Sequence, residues 1–493
     1  MNDSHPPQET SRASVELVRS LGVFATTMFV VGNVIGSGVF AKPGIMASQV
    51  GSPGWLLAVW VVAGTVSLIG ALANAEVAAM IPEAGGQYIF FHRMYGPFPA
   101  FLFGWSLFAI LKTGSLASLA FIFAEAFGQL VNLPQLPNSV ASFAIHLPFM
   151  GDVTPLANFG VKSVAAALIV TLTAINCFGI KPGSLVQNIF AVAKMTALFG
   201  IIALAFFTPG AGHAANLTTA SATIDPHGWL MWAAFAAALQ GAFWAYDGWN
   251  DVTFIAGEVK NPQSVLPRGL ITGMIIVIAI YLLASLAYVY VLPIDELAKS
   301  KLAAADLAER CFRGGGKWIA VGIMISTFGA ANSNVLAPAR VVFSMARRNA
   351  FPQFLGRVHP RFHAPTTALI VQGAWSLLLL FSGTFDTITN TLIFVAWIFY
   401  GAATAGVFVL RHKEPNTPRP YKVPGYPVLP AVFVIFATAF LVFEIIHDVR
   451  AYQIAAAAGK PAIINCAFGL FLVFIGTPIY FLCRRRTTAG PPR

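Results

Sequence analysis

A chain of 493 residues that is 57% hydrophobic and only 10% charged, against about 25% charged in soluble domains, excludes an ordinary soluble globule. Its mean hydropathy of +0.73 marks a polytopic membrane protein, and its net charge of +11 comes from lysines and arginines gathered on the loops of one side, which the positive-inside rule makes cytosolic. The anionic inner leaflet is the lipid partner of that charge, and no nucleic acid is needed to explain it.

Apolar runs near the roughly 20 residues that span a bilayer recur about twelve times, near 21–41, 54–80, 98–128, 162–179, 185–207, 229–256, 269–292, 318–345, 366–383, 387–410, 427–447 and 462–483. They predict an all-α polytopic fold of about twelve transmembrane helices. Residues 1–20 are polar and the first run is long and followed by many others, so nothing resembles a cleaved signal peptide. Both this tail and the basic tail 484–493 are expected in the cytosol.

The first run is interrupted by Gly32-Asn33-Val34-Ile35-Gly36-Ser37-Gly38-Val39-Phe40. Unpaired backbone groups in hydrocarbon cost several kcal/mol each, so an unwound segment at that depth must line a protein-enclosed or watered cavity. The half-helix that starts near Val39 turns its positive end to the gap, which suits a carboxylate. Gly32 and Gly36 also make a Gly-x-x-x-Gly face for helix packing, and both readings stand. The letters from Gly36 to Ala41 match a dinucleotide fingerprint, but no βαβ unit follows and the next acid is Glu76, so that match is discarded.

The second run carries Glu76 near its end, before the turn Pro82-Glu83-Ala84-Gly85-Gly86-Gln87-Tyr88. An ion pair at the membrane edge is its expected role. In the third run Lys112-Thr113-Gly114-Ser115 lies near mid-membrane, where a lysine costs about 2.5–3.5 kcal/mol, so Lys112 must face the bundle interior. The loop 132–161 has four prolines and no lysine, arginine or cysteine, and reads as a surface connector. Lys194, in the fifth run, is either a fixed positive strut or a titrating proton carrier.

The sixth run repeats the opening theme at Trp244-Ala245-Tyr246-Asp247-Gly248-Trp249-Asn250-Asp251, where glycine beside aspartate signals a break and Asp247 is placed to cap the second half-helix. Two broken spans, first and sixth, predict two five-helix units of inverted topology, 21–207 and 229–411, with substrate at the midplane between them. Residues 427–483 supply two accessory helices. The loop 293–317 is expected to form short surface helices. In the eighth run Phe328-Gly329-Ala330-Ala331-Asn332-Ser333-Asn334 suits either a polar cavity wall or packing between helices.

Other chemistries find no partner residues. Arg313-Gly314-Gly315-Gly316-Lys317-Trp318 lacks the P-loop spacing. His359 and His363 straddle Pro360 with no acid ligand near, so no metal site is read there. An intramembrane aspartyl protease needs a second carboxylate in a Gly-x-Gly-Asp partner motif, and the chain has none. The four cysteines have no Cys-x-x-Cys spacing and read as inert. No enzyme, cofactor or metal is expected.

In order, several motifs resemble the L-type amino acid transporters of the amino acid, polyamine and organocation superfamily: Ile35-Gly36-Ser37-Gly38-Val39-Phe40; Ala75-Glu76 with Pro82, Gly85, Gly86 and Tyr88; Ile175-Asn176-Cys177 leading to Val186-Gln187-Asn188 and Lys194; Ala245-Tyr246 and Gly248-Trp249-Asn250; Glu258 through Asn261-Pro262 to Leu266-Pro267; and Arg419-Pro420-Tyr421-Lys422-Val423-Pro424. The resemblance covers residues 20–483 and implies a fold of five plus five inverted helices with two appended. It implies that the substrate carboxylate sits on the amides of Gly36, Ser37 and Gly38, and its ammonium on the carbonyls of Val34, Trp244, Ala245 and Asp247. Trp244 would be the aromatic lid, and Ser115 and Asn334 would line the side-chain pocket. Lys194 matches the family lysine near the place where sodium-coupled relatives hold an ion.

The chain departs from the family at Trp244 (often phenylalanine), Asp247 (often glycine), Lys112 (often arginine) and Gly257 (often glutamate). A bulkier lid suits a small substrate, whereas an exposed Asp247 carboxylate favours a cationic one. Eukaryotic members are tethered by a disulfide to a heavy chain through the loop after the third span; residues 132–161 hold no cysteine, so no such partner is expected. The leading expectation is sodium-independent exchange of neutral L-amino acids across the plasma membrane. The alternative is a proton-coupled symporter of amino acids or polyamines that uses Lys194 and Asp247. A receptor or hydrolase lacks the residues it would need.

Overall fold

The computed structural model describes residues 17–147, 151–382, 385–457 and 464–488. The tail before residue 17 and residues 489–493 of the basic tail lie outside the described residues, as does Pro148 of the 132–161 loop. The described chain is helical apart from one antiparallel strand pair, Ile145–Leu147 with Gly151–Val153, in that loop. All-helical architecture follows from the solvent: a helix satisfies its own backbone groups where no water can.

Among the described residues, nine helical segments are long and apolar enough to cross a membrane, and the bent pair Val23–Val34 and Gly38–Val50 makes a tenth candidate. The remaining two apolar runs are also helical but fall short of a full span each. Thr366–Ser382 has 17 residues, and Trp229–Tyr246 continues into a 3-10 segment, Asp251–Glu258, after a break. Prolines open several helices, at Pro53, Pro97, Pro262 and Pro338, where a missing N–H costs nothing.

Burial sorts the helices into layers. In Pro97–Gly128 and Gly315–Arg347, 78% of the membrane-length window is buried, against 28% for Ile180–Phe207 and Val428–Ala457. The first two therefore form the centre and the last two face lipid. Val428–Ala457 is anchored by aromatic contacts, with Trp397 stacked on Phe433 at 5.7 Å and packed on Phe440 at 5.0 Å.

The molecule has two polar faces. One carries the ion pairs Arg93–Glu414, Arg348–Glu83 and Arg411–Glu76 and is called the basic face below. Glu76 is an ion-pair residue, as expected: both its oxygens take Arg411, at 2.9 and 2.7 Å, and the Val423 amide adds a third bond. The opposite face carries the 132–161 loop and the short helices Ile294–Leu297 and Ala303–Cys311. These two match the expected short helices, though Ala303, Ala304, Leu307 and Ala308 are buried against the bundle. Exposed Trp229, Trp232 and Trp318 near helix starts on this face mark a membrane interface.

Candidate functional site

The first break spans residues 35–37 and bends the helix pair by 42°. Several of the carbonyls released at the end of the first half-helix have side-chain donors. Lys194 Nζ donates to Gly32 O at 2.8 Å, to Ile35 O at 2.5 Å and across to Ser326 O at 2.8 Å. Ser326 adds a bond to Gly36 O at 2.9 Å. The three protons of a charged ammonium are thereby placed, and a neutral amine would leave a carbonyl bare. On the other side of the gap, the first backbone bonds run from Phe40 and Ala41 to Ser37 O, leaving the amides of Ser37, Gly38 and Val39 for an outside partner, while the Gly36 amide meets the Tyr281 hydroxyl.

Gly32 and Gly36 separate the two readings of the glycine pattern. A Cβ on Gly32 would lie 2.1 Å from the Gln187 side chain, whereas on Gly36 it would meet nothing nearer than Leu119 at 3.6 Å. Gly32 serves packing and Gly36 opens on a cavity. At Gly38 a Cβ would lie 2.7 Å from both Cα and Cβ of Ala245, so the two broken spans touch there.

The second break covers residues 247–250, with Gly248 at φ +99°, a conformation that side chains disfavour. Asp247 does not cap the segment after it, which corrects the expectation. The cap position of that segment is Asn250, and no side chain caps it; Asp247 Oδ1 instead accepts the Tyr400 hydroxyl at 2.5 Å, and its Oδ2 faces Lys112 Nζ at 3.6 Å. The carboxylate is engaged on both oxygens.

Lys112 faces the interior, as its cost in lipid requires. A five-residue π-helical segment, Leu107–Leu111, precedes it and shifts the following helix face; the Thr113 hydroxyl and the Trp375 indole satisfy the carbonyls of Phe108 and Ala109. Lys112 Nζ lies 2.7 Å from Asp251 Oδ2, which also accepts Asn33 Nδ2 at 2.8 Å. Asp251 is fully buried, and its Oδ1 has no hydrogen-bond partner among the described residues.

Between the breaks lies a cavity of about 40 Å³, lined by Val34, Gly36, Ser37, Gly38, Ser115, Trp244, Ala245, Asp247 and Asn334, together with Asn33, Lys112, Leu119, Gly248 and Ala330. All nine candidate substrate contacts are thus brought to one place, while Lys194 lies behind the wall. The carbonyls of Val34 and Ala245 are already engaged, each 3.0 Å from the Tyr281 hydroxyl. A hydroxyl has one proton, so one of the two stays available to an ammonium. Asn334 bears on the eighth-span question: its Oδ1 has no partner among the described residues and the residue lines the cavity, whereas Asn332 ties helices together through Asn176, Gly183 and Gln187.

Trp244 stands between this cavity and a vestibule of about 1210 Å³ that opens to the opposite face and shares Ser37 and Gly38 with it. Towards the basic face the way is shut. Arg340 and Glu258, both fully buried, pair through two bonds at 2.8 and 3.0 Å. Gly85 N bonds to Phe254 O, and Leu21 pairs with Val259 as an isolated parallel bridge. Sequence reasoning gave no role to Asp251, Tyr400, Tyr281, Asn33 or Ser326. Asking what neutralises Lys112 could have found Asp251, since an intramembrane charge needs a partner.

The family model described as amino acid permease matches residues 21–480. The chain is 30% identical over 434 residues to the b(0,+)-type amino acid transporter 1 of Homo sapiens, covering 88% of this chain and 83% of that one. It is 29% identical to the serine/threonine exchanger SteT of Bacillus subtilis (strain 168), over 95% and 98% of the two chains. It is also 29% identical to the large neutral amino acids transporter small subunit 2 of Homo sapiens, over 98% and 83%.

Proposed function

Because the chain belongs to the amino acid permease family, as a multi-pass membrane transporter of amino acids and not an enzyme, we propose that it exchanges neutral L-amino acids without sodium. The observation that carries this reading is the single cavity at the junction of the two breaks. Amides before Phe40 suit a carboxylate, and the Val34 or Ala245 carbonyl suits an α-ammonium. Trp244 and the small volume, room for only a few waters, favour a small side chain, and Ser115 and Asn334 offer it polar contacts. Two relatives, an exchanger of serine and threonine and a carrier of large neutral amino acids, agree with neutral substrates.

Lys194 supports sodium independence, since its ammonium already occupies the three carbonyls that could cradle a cation. We assign residues 21–207 and 229–411 to the two inverted units, 427–483 to accessory helices, and the basic face with both termini to the cytosol of a plasma-membrane protein. The vestibule then opens outward and the Arg340–Glu258 side is the closed inner gate. With no cysteine in residues 132–161, the chain is expected to work without a disulfide-linked heavy chain.

Asp251 Oδ1, buried and bare, favours a second reading, proton-coupled symport, because a proton could reside there. Proteoliposomes separate the two. Exchange predicts labelled alanine uptake only with amino acid inside, unchanged when sodium is replaced. Uptake into empty vesicles driven by an inward proton gradient would establish symport instead.

A further inference from the structure

Lys112 stands between two carboxylates that differ in access. Asp247 lines the cavity; Asp251 does not, being fully buried behind it. The ammonium is held 2.7 Å from Asp251 and 3.6 Å from Asp247, and Asn33 fixes the Asp251 oxygen that holds it. Tyr400 fixes Asp247 from the other side. A side chain entering the pocket therefore meets an adjacent positive and negative group rather than a lone carboxylate, and a second cation beside Asp247 would be forced close to Lys112 in a site of low dielectric, where like charges repel strongly.

We propose that Lys112 sets the charge selectivity of the pocket: anchored by Asp251, it offsets Asp247 and so disfavours amino acids with cationic side chains. Asp251 and Asn33 are positioning residues in this scheme, acting through the lysine. The inference rests on the assignment of the cavity as the substrate site, and it reaches beyond that assignment by giving the chain's own buried triad a role in discrimination.

Two substitutions should act differently. Lys112→Gln leaves Asp247 unbalanced, so inhibition of labelled alanine exchange by arginine, relative to inhibition by serine, should strengthen about tenfold or more. Asp251→Asn frees the lysine to move onto Asp247, so the same ratio should stay or fall. Lys112→Arg keeps the charge and should keep the wild-type preference. An unchanged ratio in Lys112→Gln, or a rise in both variants, overturns the proposal. Where a variant does not transport, thermal stabilisation of the purified protein by serine and by arginine gives the same ratio. If Lys112→Gln binds neither amino acid, the lysine supports the fold and the proposal falls as well. Absence of neutral amino acid exchange in the wild type would instead sink the assignment of the site itself.

Discussion

At Gly38 the two broken spans approach so closely that a single methyl would overlap the backbone of Ala245, whereas at Gly36, two residues earlier, a methyl has room. Gly38→Ala should therefore abolish exchange, while Gly36→Ala should fold and restrict the largest accepted substrate. Uptake assays with alanine and leucine as substrates check both. Lys194→Met would strand the Gly32 carbonyl, whereas Ile35 O keeps the Ser326 hydroxyl and Ser326 O its own helix; the loss of about 1–3 kcal/mol should be visible as a lowered melting temperature together with lost transport. The glycines and lysines were legible in the sequence because each is costly in a membrane and must be justified by a site or a partner. The partners were less so. Asp251 lies far from Lys112 in sequence, and the spacing of neither residue announces the other.

Among elements, the breaks were readable as glycine-rich interruptions, but their local geometry was not. A 3-10 segment follows the second break where an α-helix was expected, and Asp247 turns to Tyr400 and Lys112 because those buried donors outcompete the amides of the next turn. The π-helical segment before Lys112 left no trace in Leu107-Phe108-Ala109-Ile110-Leu111, which reads as uniform apolar helix. The buried pair of Arg340 and Glu258 joins the eighth span to the end of the sixth. Removing one member strands the other, so Arg340→Ala should cost about 3–5 kcal/mol, measurable by thermal unfolding in detergent. At the edge of the basic face, the hydrogen bond from Arg93 holds the Glu414 carboxyl below its usual value. A depressed carboxyl stabilises at neutral pH and loses that contribution as pH falls through its folded value. The stability difference between wild type and Arg93→Gln should accordingly be present at neutral pH and shrink progressively as pH falls below the ordinary glutamate value of about 4.3.

For the whole molecule, hydropathy located every apolar run that the structure forms into helix, because the bilayer imposes length and polarity on each run independently. The count of full spans was harder to read, since broken and short helices do not meet a length rule on their own. Which side is open could not be read at all: closure depends on contacts between distant segments, such as Ser344 with Ala84 and Asn250 with Gln87. Trp244 separates vestibule from cavity, so Trp244→Ala should join the two spaces and weaken retention of a small amino acid, seen as faster loss of bound label.

The pairing of Leu21 with Val259 reaches further than its size suggests. The amides of Ser20 and Leu21 both bond to Glu258 O, and Lys260 N returns a bond to Leu21 O, so the chain entering the first span is laced to the chain leaving the second break. A movement that opens the cavity towards the basic face would unlace three main-chain bonds there. The leading segment thus works as a drawstring on the mouth at the basic face, tied by backbone and indifferent to the side chains threaded along it.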